Sequence, residues 1–496
     1  MLTRCLVLTL LSSSTLLAQE KKTTPAPDPY PVPSTVAESM KRAVSYYRTH
    51  LSFAGGYAGK WSRDLEKSGN SDRSGATLIT IETPGTPTIG HAMLRAYQVT
   101  RDKVHLQGAR EAAQALLWTQ LASGGWNSDH DFALSKAHGR HYRRDLEAGD
   151  TERAGRNAHS NLDDDKTQFA LLFLLELSQL PECRDDKQIP EAVKFGMEGL
   201  LAAQAPNGGW PQGFSGPTDP TLPVKSPTLP KDWPRKWPDL DYTGYYTLND
   251  GNLLSIARLL IRANELQPDQ RYVSAVKRLG DFLLLSQCPA PQAGWAQQYN
   301  LNMEPAWARK FEPPCISSLE TLLALVTLQE IWVETGDDKY LKPQESALKW
   351  LESSRLPDGQ YARFQELHTN TPLYFVKDTY ELTYDDKNMP THYGFKVDEL
   401  QDDIDAFKNR MTASREDQLA KRKGPQTEKE WLSKAKGAAK KVVTALSGQN
   451  KQGIWTDENM IDAGLFIKHM LAMTNYYEAA TKAGPLFEKL RAEGSQ

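Results

Sequence analysis

The stretch Asp165–Gln179, DKTQFALLFLLELSQ, decides how the rest of the chain is read. Its apolar residues recur three and four positions apart, the spacing of one helix surface, and the acidic run ahead of it is of the kind that starts a helix. The same periodicity returns over Asn252–Glu265, Ala275–Ser286 and Ser318–Glu334, whereas alternating β-branched runs are scarce. Between such stretches stand glycine–aromatic corners: Gly55-Gly56-Tyr57, Gly124-Gly125-Trp126, Gly208-Gly209-Trp210, Gly294-Trp295, Gly359-Gln360-Tyr361 and Gly453-Ile454-Trp455. Their spacing, roughly 65 to 95 residues, suits a helical hairpin plus variable loops better than a short solenoid repeat. The expectation is an all-α fold, an α/α toroid in which hairpins form a ring and long irregular loops at one end make a cleft. Glycine at each corner permits positive φ, and the aromatic beside it either closes the core or stacks on a sugar.

Outward from these hairpins, the N-terminus MLTRCLVLTLLSSSTLLAQE has one arginine before an apolar run of about a dozen residues, the layout of a secretory signal peptide over 1–18. That run is shorter than the ~20 apolar residues that span a bilayer, so no membrane span is expected. Export to the periplasm or the extracellular space is expected instead. A Pro-rich linker follows at 19–35, then an N-terminal helical part of the toroid, or a cap, at 36–123, and the catalytic part at 124–485. Within it, prolines make 214–241 a long surface excursion that either walls a cleft or is a disordered insertion. With 59 basic against 62 acidic residues and no long basic stripe, nothing supports a nucleic-acid partner, and none is expected. The charges from Arg415 to Lys441 alternate and read as a solvated helix face. Cys183, Cys288 and Cys315 are too few for a disulfide framework; Cys288 and Cys315 either pair or stay as buried thiols. His130, His138 and His141 lack an acidic helix motif and read as surface histidines of a charged loop.

Four motifs concentrate polar residues where a helical core does not need them. The first is Asn161-Leu162-Asp163-Asp164-Asp165-Lys166-Thr167, whose carboxylates either cap a helix or offer hard oxygen ligands to Ca2+, although not in EF-hand spacing. The second is Asn207–Gln212, NGGWPQ, and the third is Thr247-Leu248-Asn249-Asp250, a second acidic helix start. The fourth joins Gly294–Asn300, GWAQQYN, to Pro305–Pro314, PAWARKFEPP, where Arg309 sits among aromatics and prolines.

In this order the motifs resemble the pectate lyases of polysaccharide lyase family 10, over roughly Gly124 to Phe395. The resemblance implies an α/α toroid that cleaves polygalacturonate, or a related acidic polysaccharide, by Ca2+-assisted β-elimination. It implies Arg309 as the catalytic base and Asp163, Asp164 and Asp250 as metal ligands. Substrate-binding positions are implied at Asn249, Arg363, Lys377, Trp210 and Asn300. Three positions depart from the family: Asp164 stands where asparagine is frequent, making the acidic run more acidic than usual, Asn300 stands where an aspartate is common, and Lys377 replaces an arginine, giving up the planar fork that grips a carboxylate. A monomeric enzyme is expected.

The chemistry accounts for these residue types. The C5 proton of a galacturonate lies α to a carboxylate, so its removal needs that carboxylate neutralised, after which the oxygen at C4 leaves. Arginine is a poor base, its ordinary pKa lying above about 12, and a packed, dry site is expected to disfavour its charged form. Two other readings use the same residues. A glycoside hydrolase would pair Asp163 or Asp164 with Asp250 across the scissile bond, and a non-catalytic protein would bind uronan without turnover.

Overall fold

A computed structural model describes residues 28–69, 74–133, 139–152 and 155–494. The signal peptide, most of the Pro-rich linker and His138 lie outside the described residues. Among those described, no helix is long and apolar enough to cross a membrane.

The principal helices are α1 (Pro33–Tyr46), α2 (Thr86–Thr100), α3 (Lys103–Thr119), α4 (Lys166–Ser178), α5 (Gln188–Ala202), α6 (Asn252–Leu266), α7 (Gln270–Ser286), α8 (Ser318–Thr335), α9 (Gln344–Ser353), α10 (Glu428–Gly448) and α11 (Ala463–Ala483). They form the expected α/α toroid. Helices α11, α2, α4, α6 and α8 stand side by side in that order, and α10, α3, α5, α7 and α9 each back one of them from outside. Helices α4 and α8 are buried almost all round, as inner-layer helices must be, while α10 buries one stripe. The chain's two ends meet: α11 packs on α1 and α2, and strand Lys60–Ser62 pairs antiparallel with Met460–Asp462. One apolar cluster runs from Val36 to Phe487.

Each tryptophan corner repeats one device. The indole N–H of Trp126, Trp210, Trp295 and Trp455 donates to the carbonyl of Leu116, Leu200, Leu283 and Ala445, at 3.0, 2.8, 2.9 and 2.8 Å. All four carbonyls lie in the last turn of an outer helix, where backbone N–H donors run out, although Thr119 Oγ1 and Ser286 Oγ also reach the Leu116 and Leu283 carbonyls at 3.3 and 3.5 Å. The glycines make the approach possible: Gly208 has φ +93°, and a Cβ there would fall 2.0 Å from the Arg278 carbonyl oxygen.

This corrects the expectation for Trp210. Its side chain is 0% exposed and its N–H is spent on helix α5, so no ring face remains for a sugar. Trp210→Phe is expected to lower unfolding stability by about 1–3 kcal/mol, the cost of a buried acceptor left unpaired. KM for any saccharide should stay unchanged. Denaturant unfolding alongside kinetics checks both, and a raised KM at unchanged stability would restore the sugar-binding reading.

One feature goes beyond the expected fold, and one expectation changes. The strands are short, but a four-stranded antiparallel sheet, Leu382–Thr383, Pro372–Phe375, Phe364–Glu366 and Cys315–Ser317 in spatial order, builds a second apolar cluster beside Arg309. His130 and His141 are buried, not surface residues. Burial, with Arg140 and Arg144 nearby, pushes the His130 imidazole down to about 3, and its Nδ1 lies 3.2 Å from the Tyr142 hydroxyl. The His141 Nε2 is 3.0 Å from the Asp150 carbonyl oxygen. Cys183, Cys288 and Cys315 are free and buried, and burial pushes the Cys288 thiol up to about 12.

Candidate active site

The acidic motifs become two copies of one turn. In each, a leucine with φ −105° (Leu162, Leu248) precedes an aspartate in the left-handed region, Asp164 at φ 49° and Asp250 at φ 48°. Asp165 and Gly251 follow with φ 59° and 78°, and then an inner helix begins. Aspartate tolerates that region better than most residues because its short side chain bonds locally. The leucine N–H groups donate to the next corner round the ring, Leu162 to the Gln212 carbonyl and Leu248 to the Gln297 carbonyl, both at 2.8 Å. Motifs far apart in sequence are therefore laced together hairpin by hairpin.

The two turns bring Asp163, Asp164 and Asp250 together, with one carboxylate oxygen from each within 4.8 Å of the others. Asp163 is buried and accepts from Asn249 Nδ2 at 2.9 Å, while Asn249 Oδ1 is buried and without a hydrogen-bond partner. Burial, then the charge of Asp164, raises the Asp163 carboxyl above the ordinary carboxylate range, and Lys166, Arg309 and Asn249 oppose that rise. An oxygen-only donor set of three carboxylates and a spare amide oxygen is what a hard divalent cation takes.

Lys166 had no assigned role in the motif that contains it. Its side chain is buried, and its ammonium lies 3.1 Å from Asp164 Oδ2, 3.3 Å from Glu82 Oε2 and 3.1 Å from the Asp163 carbonyl oxygen. Burial by itself lowers its pKa, but Asp163, Asp164 and Glu82 together raise it, so the lysine is a resident cation of the cluster.

Arg309 faces the cluster from the fourth motif, and its charge and that of Asp163 each act on the other. A tight turn closes beneath it, with the Glu312 N–H on the Arg309 carbonyl at 2.9 Å and the Ala308 N–H on the Glu312 carbonyl at 3.1 Å. The Glu312 side chain, 1% exposed, then takes the Arg309 backbone N–H at 3.0 Å, Nε at 2.9 Å and Nη2 at 2.5 Å. Gln297 Nε2 at 2.6 Å and the Tyr393 hydroxyl at 3.1 Å complete its partners. The expectation that a packed site disfavours the charged guanidinium is therefore corrected. Burial does lower the pKa, but the bonds and charge of Glu312, with Asp163, outweigh it and hold Arg309 protonated well above the ordinary arginine value.

Arg363 is delivered by the strand Phe364–Glu366, but not as a free hand for substrate. It is 5% exposed, and Nη2 donates to Asp250 Oδ1 at 2.7 Å and Glu320 Oε1 at 2.9 Å. Its guanidinium lies 4.5 Å from the Tyr393 ring centroid. It is the counter-ion of two carboxylates, and Glu320, fully buried in the first turn of α8, also accepts from Ser317 Oγ.

Lys377 is exposed on the turn after Pro372–Phe375. Asn300 closes its own turn instead: Oδ1 accepts from the N–H of Asn302 and Glu304, and Nδ2 donates to Glu304 at 2.9 Å. The excursion 214–241 lies over the Arg309 segment, with Trp307 Nε1 on the Pro234 carbonyl at 2.6 Å and Trp237 Nε1 on the Ala308 carbonyl at 2.9 Å. Glu312, Glu320, Tyr393 and Lys166 were missed in sequence. Only the spacing of Arg309 and Glu312 offered a signal, since residues three apart meet in a turn.

A pectic acid lyase family model matches residues 129–399. No curated protein matches the chain. Among solved structures, the chain is similar to the family 10 polysaccharide lyase from Cellvibrio cellulosa at 18% identity and TM-score 0.45, covering 65% of this chain and 96% of that one. A mutant of that lyase in complex with trigalaturonic acid matches at 17% identity and TM-score 0.45, covering 65% and 98%. A D-mannose isomerase matches at 11% identity and TM-score 0.45, covering 90% and 99%.

Proposed function

The chain belongs to the pectic acid lyase family, and from that premise we propose that this polysaccharide lyase cleaves polygalacturonate by Ca2+-assisted β-elimination at the cluster of Asp163, Asp164 and Asp250. The observation that carries this reading is the convergence of those carboxylates, within 4.8 Å, beside the unpartnered Asn249 Oδ1. These four side chains would hold Ca2+. When bound, the ion would neutralise a uronate carboxylate and so acidify the C5 proton beside it.

Arg309 is assigned that proton. Accepting it requires the neutral guanidine, and Glu312 is the group that keeps the guanidinium charged. Exclusion of water by the bound polymer would favour passage of a guanidinium proton to Glu312, the carboxylate that already accepts from Nε and Nη2, leaving the neutral guanidine to take the C5 proton. The electron pair left at C5 forms the C4–C5 double bond as the glycosidic oxygen leaves C4. Arg363 keeps Asp250 aimed at the cluster, and the exposed Lys377 suits a uronate carboxylate at a neighbouring subsite. The leader-like segment 1–18 supports action outside the cytoplasm.

Incubation with polygalacturonate should produce ultraviolet absorbance from the new double bond, lost with a chelator and restored by Ca2+. New reducing ends without that absorbance would overturn the reading in favour of hydrolysis. The pH dependence follows from Asp163. A carboxyl whose folded pKa is raised stabilises the metal-free chain at acid pH, and that contribution is lost as pH rises through the raised value. Ca2+ needs the carboxylate, so its affinity, read by calorimetry, should begin to fall on acidification before the ordinary aspartate range is reached.

A further inference from the structure

Helices α10 and α11 pack along each other, and both lie outside the residues matched by the family model. Between them runs a groove of about 810 Å³ lined by Lys434, Lys440, Lys441, Lys468 and His469, with no carboxylate in its wall. Its floor is small or apolar: Gly437, Ala438, Leu471 and Ala472. Lys434 and Lys441 stand two turns apart on one helix, about 10 Å at 1.5 Å per residue, and Lys468 faces them from the other. Among the described residues, these four lysines take no part in an ion pair, whereas Lys482 farther along α11 pairs with Glu478 at 2.7 Å.

Gly437 supplies an independent observation. A glycine inside a helix costs about 1 kcal/mol relative to alanine. Nothing lies within 4 Å of where its Cβ would be, so packing does not demand it. It lines the groove, and with no side chain it leaves that part of the wall bare.

We propose that this groove is an accessory site for an acidic polysaccharide, a polyuronate chain whose carboxylates meet the lysines while its sugar faces lie on the small-residue floor. That the polyanion is a uronan rests on the proposed activity. The protein's net charge is −3, so its overall field does not draw in a polyanion. A basic groove without a carboxylate, in which Lys434 lies over the Trp431 ring at 4.9 Å and no lysine is ion-paired among the described residues, supplies the attraction locally, and a long polymer held there and at the aspartate cluster gains from the second attachment.

Two variants of the full chain test this. Lys434→Glu/Lys441→Glu/Lys468→Glu reverses exposed charges at little cost in helix propensity. Gly437→Leu fills the floor without changing charge and should stabilise the helix. Both should weaken retention in gels containing polygalacturonate or alginate, and raise KM on polygalacturonate, by on the order of tenfold. Cleavage of trigalacturonate, too short to need a second attachment, should be unchanged. Gly437→Leu binding like the parent protein would overturn the groove, leaving only diffuse charge. Retention by single-stranded DNA or anionic vesicles that responds to these variants while uronan retention does not would overturn the ligand class. A change in oligomeric state on charge reversal would assign the groove to a second copy and overturn the proposal likewise. If polygalacturonate is not cleaved but alginate retention still falls in both variants, the groove stands and the proposed reaction fails.

Discussion

Arg309→Lys is expected to lower kcat on polygalacturonate by about 10²–10⁴-fold, the range for losing a positioned proton-transfer group. Stability should change little. Lysine keeps a positive charge beside Glu312, which is 1% exposed, and beside Asp163, so neither carboxylate loses its counter-charge. What it gives up is the fork that meets Glu312 through Nε at 2.9 Å and Nη2 at 2.5 Å, and with it the fixed direction of the group. Alanine is the less informative substitution, because stranding Glu312 would mix an unfolding penalty into the kinetics. Steady-state kinetics with a thermal melt separate the two effects. Nearly full activity in the Arg309→Lys variant would mean that positive charge alone is required, and Arg309 would lose the C5 proton. A companion measurement uses Glu312→Gln. Removing the anion that holds the proton lowers the Arg309 pKa, so the rise of rate with pH should move to lower pH.

Arg363→Met should destabilise the fold by about 3–5 kcal/mol, the usual cost of removing one partner of a buried ion pair. Glu320 is fully buried, and its charge is met by Nη2 of Arg363 at 2.9 Å. Methionine preserves much of the stem volume and supplies no charge, so the penalty reads the stranded carboxylate. Adding Glu320→Gln should return a large part of the loss, because two neutral groups do not repeat the desolvation problem. Asp250 loses its 2.7 Å bond in both variants, so Ca2+ affinity should change in both even where stability recovers. Urea unfolding and calorimetric titration read the two quantities. A single variant as stable as the parent would show that Arg363 is not the counter-ion this geometry makes it.

The two substitutions probe parts of the site that differed in how readable they were. Arg309 was conspicuous because a lone arginine among prolines and aromatics has no place in an amphipathic helix. Its partner Glu312 stands three residues away, but nothing in its local sequence marks it as buried. Glu320 looked like an ordinary acid in the first turn of a helix, and Tyr393 like one more loop aromatic. Their roles arise from convergence: Asp250, Glu320 and Arg363 come from three segments that only the ring and the small sheet bring within bonding distance. Trp210 was ambiguous for a different reason. A tryptophan after two glycines serves a core plug or a sugar platform equally well in sequence, and only its 0% exposure and its bond to Leu200 separate them.

By itself, the sequence determined the hairpins, the corners and the two acidic turns. Those are local matters, set by helical periodicity, by glycine's access to positive φ and by the polar residues that start helices. Its motif order was also enough to identify a resemblance to one lyase family. The tertiary structure alone decided which charges are partnered. Whether Arg309 is held charged, whether Arg363 is free for substrate, and whether the lysines of α10 and α11 share one groove depend on burial and on distances between segments far apart in the chain. Electrostatic energies vary with just those quantities, and no spacing within a single segment encodes them.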